Sequence, residues 1–123
     1  MTDKADRISE ELFELSIMII KITAKLNNNQ EYKVIKDQML RSGTSAGANY
    51  EEARGAESRA DFIHKLHIAY KELRETNYWL RLMNHTLSDP DNQKIKIAVE
   101  KSEILLKILG KSIVTSKRNR DNR

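Results

Sequence analysis

The sequence has no cysteine, a single proline, four glycines and only 6% aromatic residues in 123 positions. Without cysteine there is neither a disulfide framework nor a thiolate metal site, and a cytoplasmic location is the expectation. A lone proline, Pro90, leaves long stretches in which a helix can propagate unbroken, and 33% charged residues favour helix over sheet. Long apolar runs are missing too. Leu15–Ile20 is the longest in the first half, far short of the roughly 20 residues of a membrane span. The opening Met1–Arg7 segment lacks the basic-then-apolar order of a secretory leader, so none is expected. A glycine-rich phosphate loop and a nucleophile elbow are also absent, which removes the commonest signatures of phosphoryl-transfer and hydrolase chemistry.

What is present is helical periodicity. The length suits one domain able to bury roughly two-thirds of its unfolded surface. Apolar residues at Ile8, Leu12, Leu15, Ile19, Ile22 and Leu26 predict a helix over about 4–26, stopped by Asn27–Asn29. A second helix is predicted over about 30–56; Gly43 and Gly47 weaken it unless a neighbouring helix approaches closely there. Ser58 with Asp61 three residues later reads as an N-cap for a helix over 59–86, whose seam is Phe62, Leu66, Ala69, Leu73, Thr76, Leu80 and Met83. Asp89–Pro90 predicts the start of a fourth helix over 90–115, with Ile95, Ala98, Leu105, Leu109 and Ile113 inside and Gly110 as a weak point. The fold class expected is all-α, an up-down-up-down antiparallel four-helix bundle over 1–116 followed by a basic disordered tail over 117–123. That tail supplies three of the four net positive charges, so the body is nearly neutral. Phe13, Ile17 and Ile20 on the first helix, and Ile97, Val99, Ile104, Leu106 and Ile108 on the fourth, widen the apolar faces beyond one core. They predict a homo-oligomer.

Two stripes carry the candidate chemistry. Gln38, Ser42, Ser45, Asn49 and Glu52 recur at 4-3 spacing within an arc of roughly 80°, beside the small apolar stripe Met39, Gly43, Ala46, Tyr50 and Ala53. The pattern predicts a polar seam in which Ser45 and Asn49 face Glu72 or Glu75 of the third helix, with Arg41 or Lys71 neutralising a carboxylate. Such a network specifies helix register; the alternative is a small-molecule or acid–base site between helices. The second stripe is His64, His67, Lys71, Arg74, Tyr78, Arg81 and His85. Cations with an interleaved aromatic suit phosphate contacts and base stacking, and the tail residues Lys117, Arg118, Arg120 and Arg123 add sequence-independent phosphate binding. The competing reading is a solvated face in which Lys71 pairs with Glu75.

Two catalytic or ligand patterns are thinner. Asp61, His64 and His67 lie at metal-ligand spacing on one helix but have no second copy, so no metal or other cofactor is expected. Arg59 and His64 match the Arg-x4-His spacing of some helical RNA-cleaving toxins, with His as general base and Arg as phosphorane stabiliser. Ala60 stands where those toxins carry a polar group, and no enzymatic activity is expected.

Residues 37–53 (Asp-Gln-Met-Leu-Arg-Ser-Gly-Thr-Ser-Ala-Gly-Ala-Asn-Tyr-Glu-Glu-Ala) and 61–82, with Lys71, Glu72, Glu75, Tyr78, Trp79 and Leu80, carry a resemblance. They resemble the bacterial four-helix bundle proteins related to those encoded in intervening sequences of 23S ribosomal RNA genes. The resemblance implies a bundle that assembles into a ring, a pentamer, and it brings no catalytic residues. Accessory proteins of diversity-generating retroelements look like distant relatives; they bind nucleic acid and a reverse transcriptase. The functional expectation is a non-enzymatic, oligomeric adaptor for RNA, DNA or a nucleic-acid-associated protein. The alternative is a purely structural ring.

Overall fold

The structure, a computed structural model, describes residues 3–26, 29–87 and 92–121. They form four α-helices in chain order: α1 (Lys4–Lys25), α2 (Gln30–Arg54), α3 (Arg59–Thr86) and α4 (Asn92–Asp121). No strand occurs among the described residues, as the all-α expectation requires.

Helix ends follow from local hydrogen bonding. The Asp3 carboxylate accepts from the Asp6 amide at 2.8 Å, and the Ser58 hydroxyl accepts from the Asp61 amide at 3.0 Å, as the capping pattern predicts. α2 ends at Arg54, two residues before the expected Ala56, where the Gly55 amide folds back on the Glu51 and Glu52 carbonyls. The expected Asp89–Pro90 start, Asn27, Asn28 and Arg123 lie outside the described residues.

One expectation is corrected. The tail is not irregular from Lys117: α4 continues through Asp121. Lys117, Arg118 and Arg120 are good helix formers, and their cations sit favourably at the negative end of the helix dipole. Gly110 does not break α4 either. It backs onto the Tyr70 ring, whose Cε2 lies 3.5 Å from the position a Cβ would take.

The helices pack in a cycle: α1 on α2, α2 on α3, α3 on α4 and α4 on α1, with the two diagonal pairs apart. Residue numbers ascend on one helix as they descend on its neighbour. Ile19 meets Gly43 while Leu12 meets Gly47; Arg41 meets Glu75 while Glu52 meets Lys65; Tyr70 meets Gly110 while Asn77 meets Ser102. The centre holds Leu12, Leu15 and Ile19 from α1, Met39 and Ala46 from α2, Leu66, Leu73 and Leu80 from α3, and Leu105 and Leu109 from α4. Each fully buried Leu or Ile contributes about 2 kcal/mol of apolar transfer. At Gly43 a Cβ would stand 2.5 Å from Ile19 Cδ1, so the predicted close approach is real there. The Ser16 hydroxyl, 2.9 Å from the Gly43 carbonyl, uses that closeness.

The wide apolar faces divide. Val99, Leu106 and Ile108 pack against the core, whereas Phe13, Ile17 and Ile20 of α1 and Ile97, Ile104 and Val114 of α4 remain exposed.

Candidate nucleic-acid interface

The basic stripe lies on the side of α3 away from the core. His64, Lys71, Arg74, Tyr78, Arg81 and His85 are exposed and His67 is half-buried. The sequence produces this placement because Leu66, Ala69, Leu73, Thr76, Leu80 and Met83 fix the opposite face inward. Because α4 continues as a helix, it brings Lys117 to the same end of the molecule as His67. Burial first, then the charges of Lys117, His64 and Lys71, hold the His67 pKa below its ordinary 6.5, so this imidazole is neutral at pH 7. Arg118 and Arg120 are exposed on the last turns of α4, and Arg120 pairs with Asp121 at 3.0 Å.

Three carboxylates beside this face, Glu52, Glu72 and Glu75, are already engaged. Arg41 of α2 pairs with Glu72 at 3.1 Å and also with Glu75, while its Nε donates to Gln38 Oε1 at 3.3 Å. Trp79 Nε1 donates to Glu75 Oε2 at 3.2 Å, and Lys65 pairs with Glu52 at 3.3 Å. The expected Lys71–Glu75 pair is therefore absent: Glu75 leans toward α2, where Arg41 and Trp79 hold it. Among the described residues Lys71, Arg74, Lys117 and Arg118 have no carboxylate within 4.0 Å.

The polar seam exists but its members differ from those expected. The buried crossing bond joins Ser42 to Thr76, with their hydroxyl oxygens 2.9 Å apart. Asn49 and Ser45 do not reach Glu72 or Glu75. Asn49 Nδ2 donates to the Ser45 carbonyl at 2.9 Å and to Ser45 Oγ at 3.0 Å, so a local back-bond to the preceding turn satisfies the amide inside α2. Arg41 neutralises the carboxylates, as expected; Lys71 does not.

A second polar crossing, between α3 and α4, escaped the sequence reading. Asn77 Nδ2 donates to Ser102 Oγ at 2.9 Å, and Ser102 is fully buried. Its signal was a missing beat: Ile95, Ala98, Leu105 and Leu109 leave an inward position at 102, filled by serine. Asn77 Oδ1 accepts from Arg81 Nε at 2.9 Å, which ties the buried pair to the basic stripe.

The thin patterns gain nothing from the geometry. Among the described residues no cluster of three or more His, Asp or Glu side chains is placed to hold a metal, Asp61, His64 and His67 included. Arg59 and His64 are both exposed, and a separation of five residues puts them about 140° apart around α3.

The family described as 23S rRNA-intervening sequence protein matches residues 5–110. The chain belongs to that family. The match takes in α1 and most of α4, well beyond the middle segments that carry the resemblance, and stops before Lys117, Arg118 and Arg120. A solved structure from Bacteroides thetaiotaomicron, a protein of unknown function from the S23 ribosomal protein family, is 40% identical to this family member. It superposes with a TM-score of 0.79 over 90% of this chain and 98% of its own. No curated protein matches the chain.

Proposed function

We propose that this protein is a non-enzymatic, cytoplasmic adaptor. It is an up-down-up-down bundle, assembled as a homo-oligomeric ring, that presents the outer face of α3 and the end of α4 to the phosphate backbone of nucleic acid. One observation carries the reading. Glu52, Glu72 and Glu75 are held by α2 and α3 side chains, while among the described residues Lys71, Arg74, Lys117 and Arg118 have no carboxylate within 4.0 Å; Arg74 lies about one helical turn from the exposed Tyr78, and Lys117 lies beside His67. The Lys71–Glu75 pair along the helix, part of the competing solvated-face reading, is absent because Arg41 holds Glu75. A ring multiplies a weak patch by avidity.

The test is retention on RNA and single-stranded DNA across a salt series. Affinity should fall with salt, with a log–log slope of about −0.7 per single-strand phosphate contact, and Lys71→Ala or Arg74→Ala should each reduce that slope. No retention at low salt rejects the reading. RNA cleavage abolished by His64→Ala would replace the adaptor with a nuclease.

A second reading, a structural or protein-interaction ring without nucleic acid, draws on the exposed apolar residues Phe13, Ile17 and Ile20 of α1 and Ile97, Ile104 and Val114 of α4. Neighbouring copies would bury these strips against one another. The pentamer implied by the resemblance has five times the 14.3 kDa mass of the chain, which light scattering measures directly. Assembly without retention on any nucleic acid would select this reading.

A further inference from the structure

We propose that the basic face takes single-stranded nucleic acid in preference to duplex, with Tyr78 stacking on an unpaired base and the buried Asn77–Ser102 pair positioning Arg81 beside it. This rests on the nucleic-acid reading above and names its substrate class.

Tyr78 is the outermost aromatic of α3, 50% exposed, and it is braced on both sides. On the α2 side the Trp79 ring meets it edge-on, with centroids 5.2 Å apart and planes at 72°. Trp79 is itself fixed by its bond to Glu75, which Arg41 holds. On the α4 side the Arg81 guanidinium carbon lies 5.9 Å from the Tyr78 centroid. That guanidinium is fixed by a chain of hydrogen bonds that ends in the core. Arg81 Nε donates to Asn77 Oδ1 at 2.9 Å, Asn77 Nδ2 donates to Ser102 Oγ at 2.9 Å, and Ser102 Oγ donates to the Val99 carbonyl at 2.7 Å.

A purely structural α3–α4 crossing accounts for the Asn77 nitrogen facing Ser102. It does not account for the Asn77 oxygen facing outward onto an arginine. Because guanidinium only donates, the oxygen must be the end that holds it. The result is an exposed ring whose neighbours are immobilised before any ligand arrives, which lowers the ordering cost of binding.

The ring's chemistry selects the ligand. Arg74 lies about 6 Å and Arg81 about 4.5 Å along the helix axis from Tyr78, on opposite sides, so cations flank the ring at a spacing suited to phosphates on either side of one base. A base offers its face to tyrosine only when it has left a duplex stack, and stacking of this kind tolerates any base. Duplex would leave the ring unused and bind through Lys71 and Arg74 alone.

The experiment uses the whole chain at low salt, with fluorescent oligouridylate and a blunt duplex of equal length as probes. Oligouridylate should bind about tenfold or more tighter than duplex. Tyr78→Ala should weaken oligouridylate by about tenfold and leave duplex unchanged, and Tyr78→Phe should restore binding. Asn77→Leu should lower the salt slope for oligouridylate by about 0.7, the same as Arg81→Ala, and the double variant should lose no more than either. A destabilised but otherwise functional bundle would not reproduce that slope. Equal binding of both probes, with Lys71→Ala weakening each, overturns this inference and leaves the nucleic-acid reading standing. Binding of neither overturns both. Loss of assembly on Tyr78→Ala, seen by light scattering, would make the ring a contact between copies and also overturns it.

Discussion

Ser42 of α2 and Thr76 of α3 meet hydroxyl to hydroxyl at 2.9 Å, both fully buried. Thr76 Oγ1 is also 2.8 Å from the Glu72 carbonyl. With one proton each, Thr76 gives its own to Glu72 and accepts from Ser42. Thr76→Val removes that acceptor and leaves Ser42 with only the Met39 carbonyl at 3.5 Å. The single change should destabilise by about 1–3 kcal/mol in urea unfolding, because a buried donor loses its partner. The double change Ser42→Ala with Thr76→Val should cost clearly less than the two single changes combined. Additive losses would show that the two hydroxyls are not coupled.

Gly43 and Gly47 look alike in sequence and should respond differently to alanine. A Cβ at Gly43 meets Ile19 Cδ1 at 2.5 Å and Cγ2 at 3.2 Å, inside a core where Ile19 is fully buried. Overpacking there costs about 1–3 kcal/mol, which equals or exceeds the roughly 1 kcal/mol of helix propensity gained. At Gly47 the nearest atom is Leu12 Cβ at 3.6 Å, an ordinary contact. Gly47→Ala should therefore raise the melting temperature, and Gly43→Ala should lower it or leave it unchanged.

Those two glycines show how far the sequence was legible. Periodicity placed Leu12, Leu15, Leu66, Leu73, Leu105 and Leu109 in the core because apolar spacing reports a face directly. Polar residues carry no such sign. Ser42, Ser45 and Asn49 share one stripe, yet only Ser42 turns inward to α3, while Asn49 finds its partner one turn back on its own helix. Ser102 passed unnoticed because a single serine in an apolar seam has no meaning until Asn77 stands opposite it. The tail misled for a different reason: Lys117–Asp121 has the composition of a solvated coil, but α4 already provides the helical template that it extends.

The depressed pKa of His67 sets a pH dependence. Burial comes first among its causes, followed by Lys117 from α4 and by His64 and Lys71 from α3. In the unfolded chain the group titrates near 6.5, above its folded value. As pH falls below about 6.5 the unfolded state takes up the proton first, so stability falls with pH and levels off only below the folded pKa. Thermal melts between neutral and mildly acid pH should show this loss, and His67→Gln should flatten it. Bound polyanion should offset it, because phosphate stabilises the imidazolium.

Lys101 ties α4 to α1 through Glu11, and through Glu14 at 3.1 Å. Burial of the lysine opposes its charge, but the hydrogen bonds and charges of the two glutamates outweigh this and raise its pKa. It therefore stays cationic throughout the neutral range, and on the alkaline side its stabilising contribution is lost as pH rises through the raised value. The ammonium is mostly covered while both glutamates are largely solvated. Lys101→Met keeps the apolar stem and removes only the charge. It should destabilise by no more than about 1 kcal/mol at low salt, because solvated partners weaken the pair. The difference from the parent should shrink as salt is added, since ions screen exposed carboxylates. A loss that persists unchanged in concentrated salt would assign the role of Lys101 to packing of its stem.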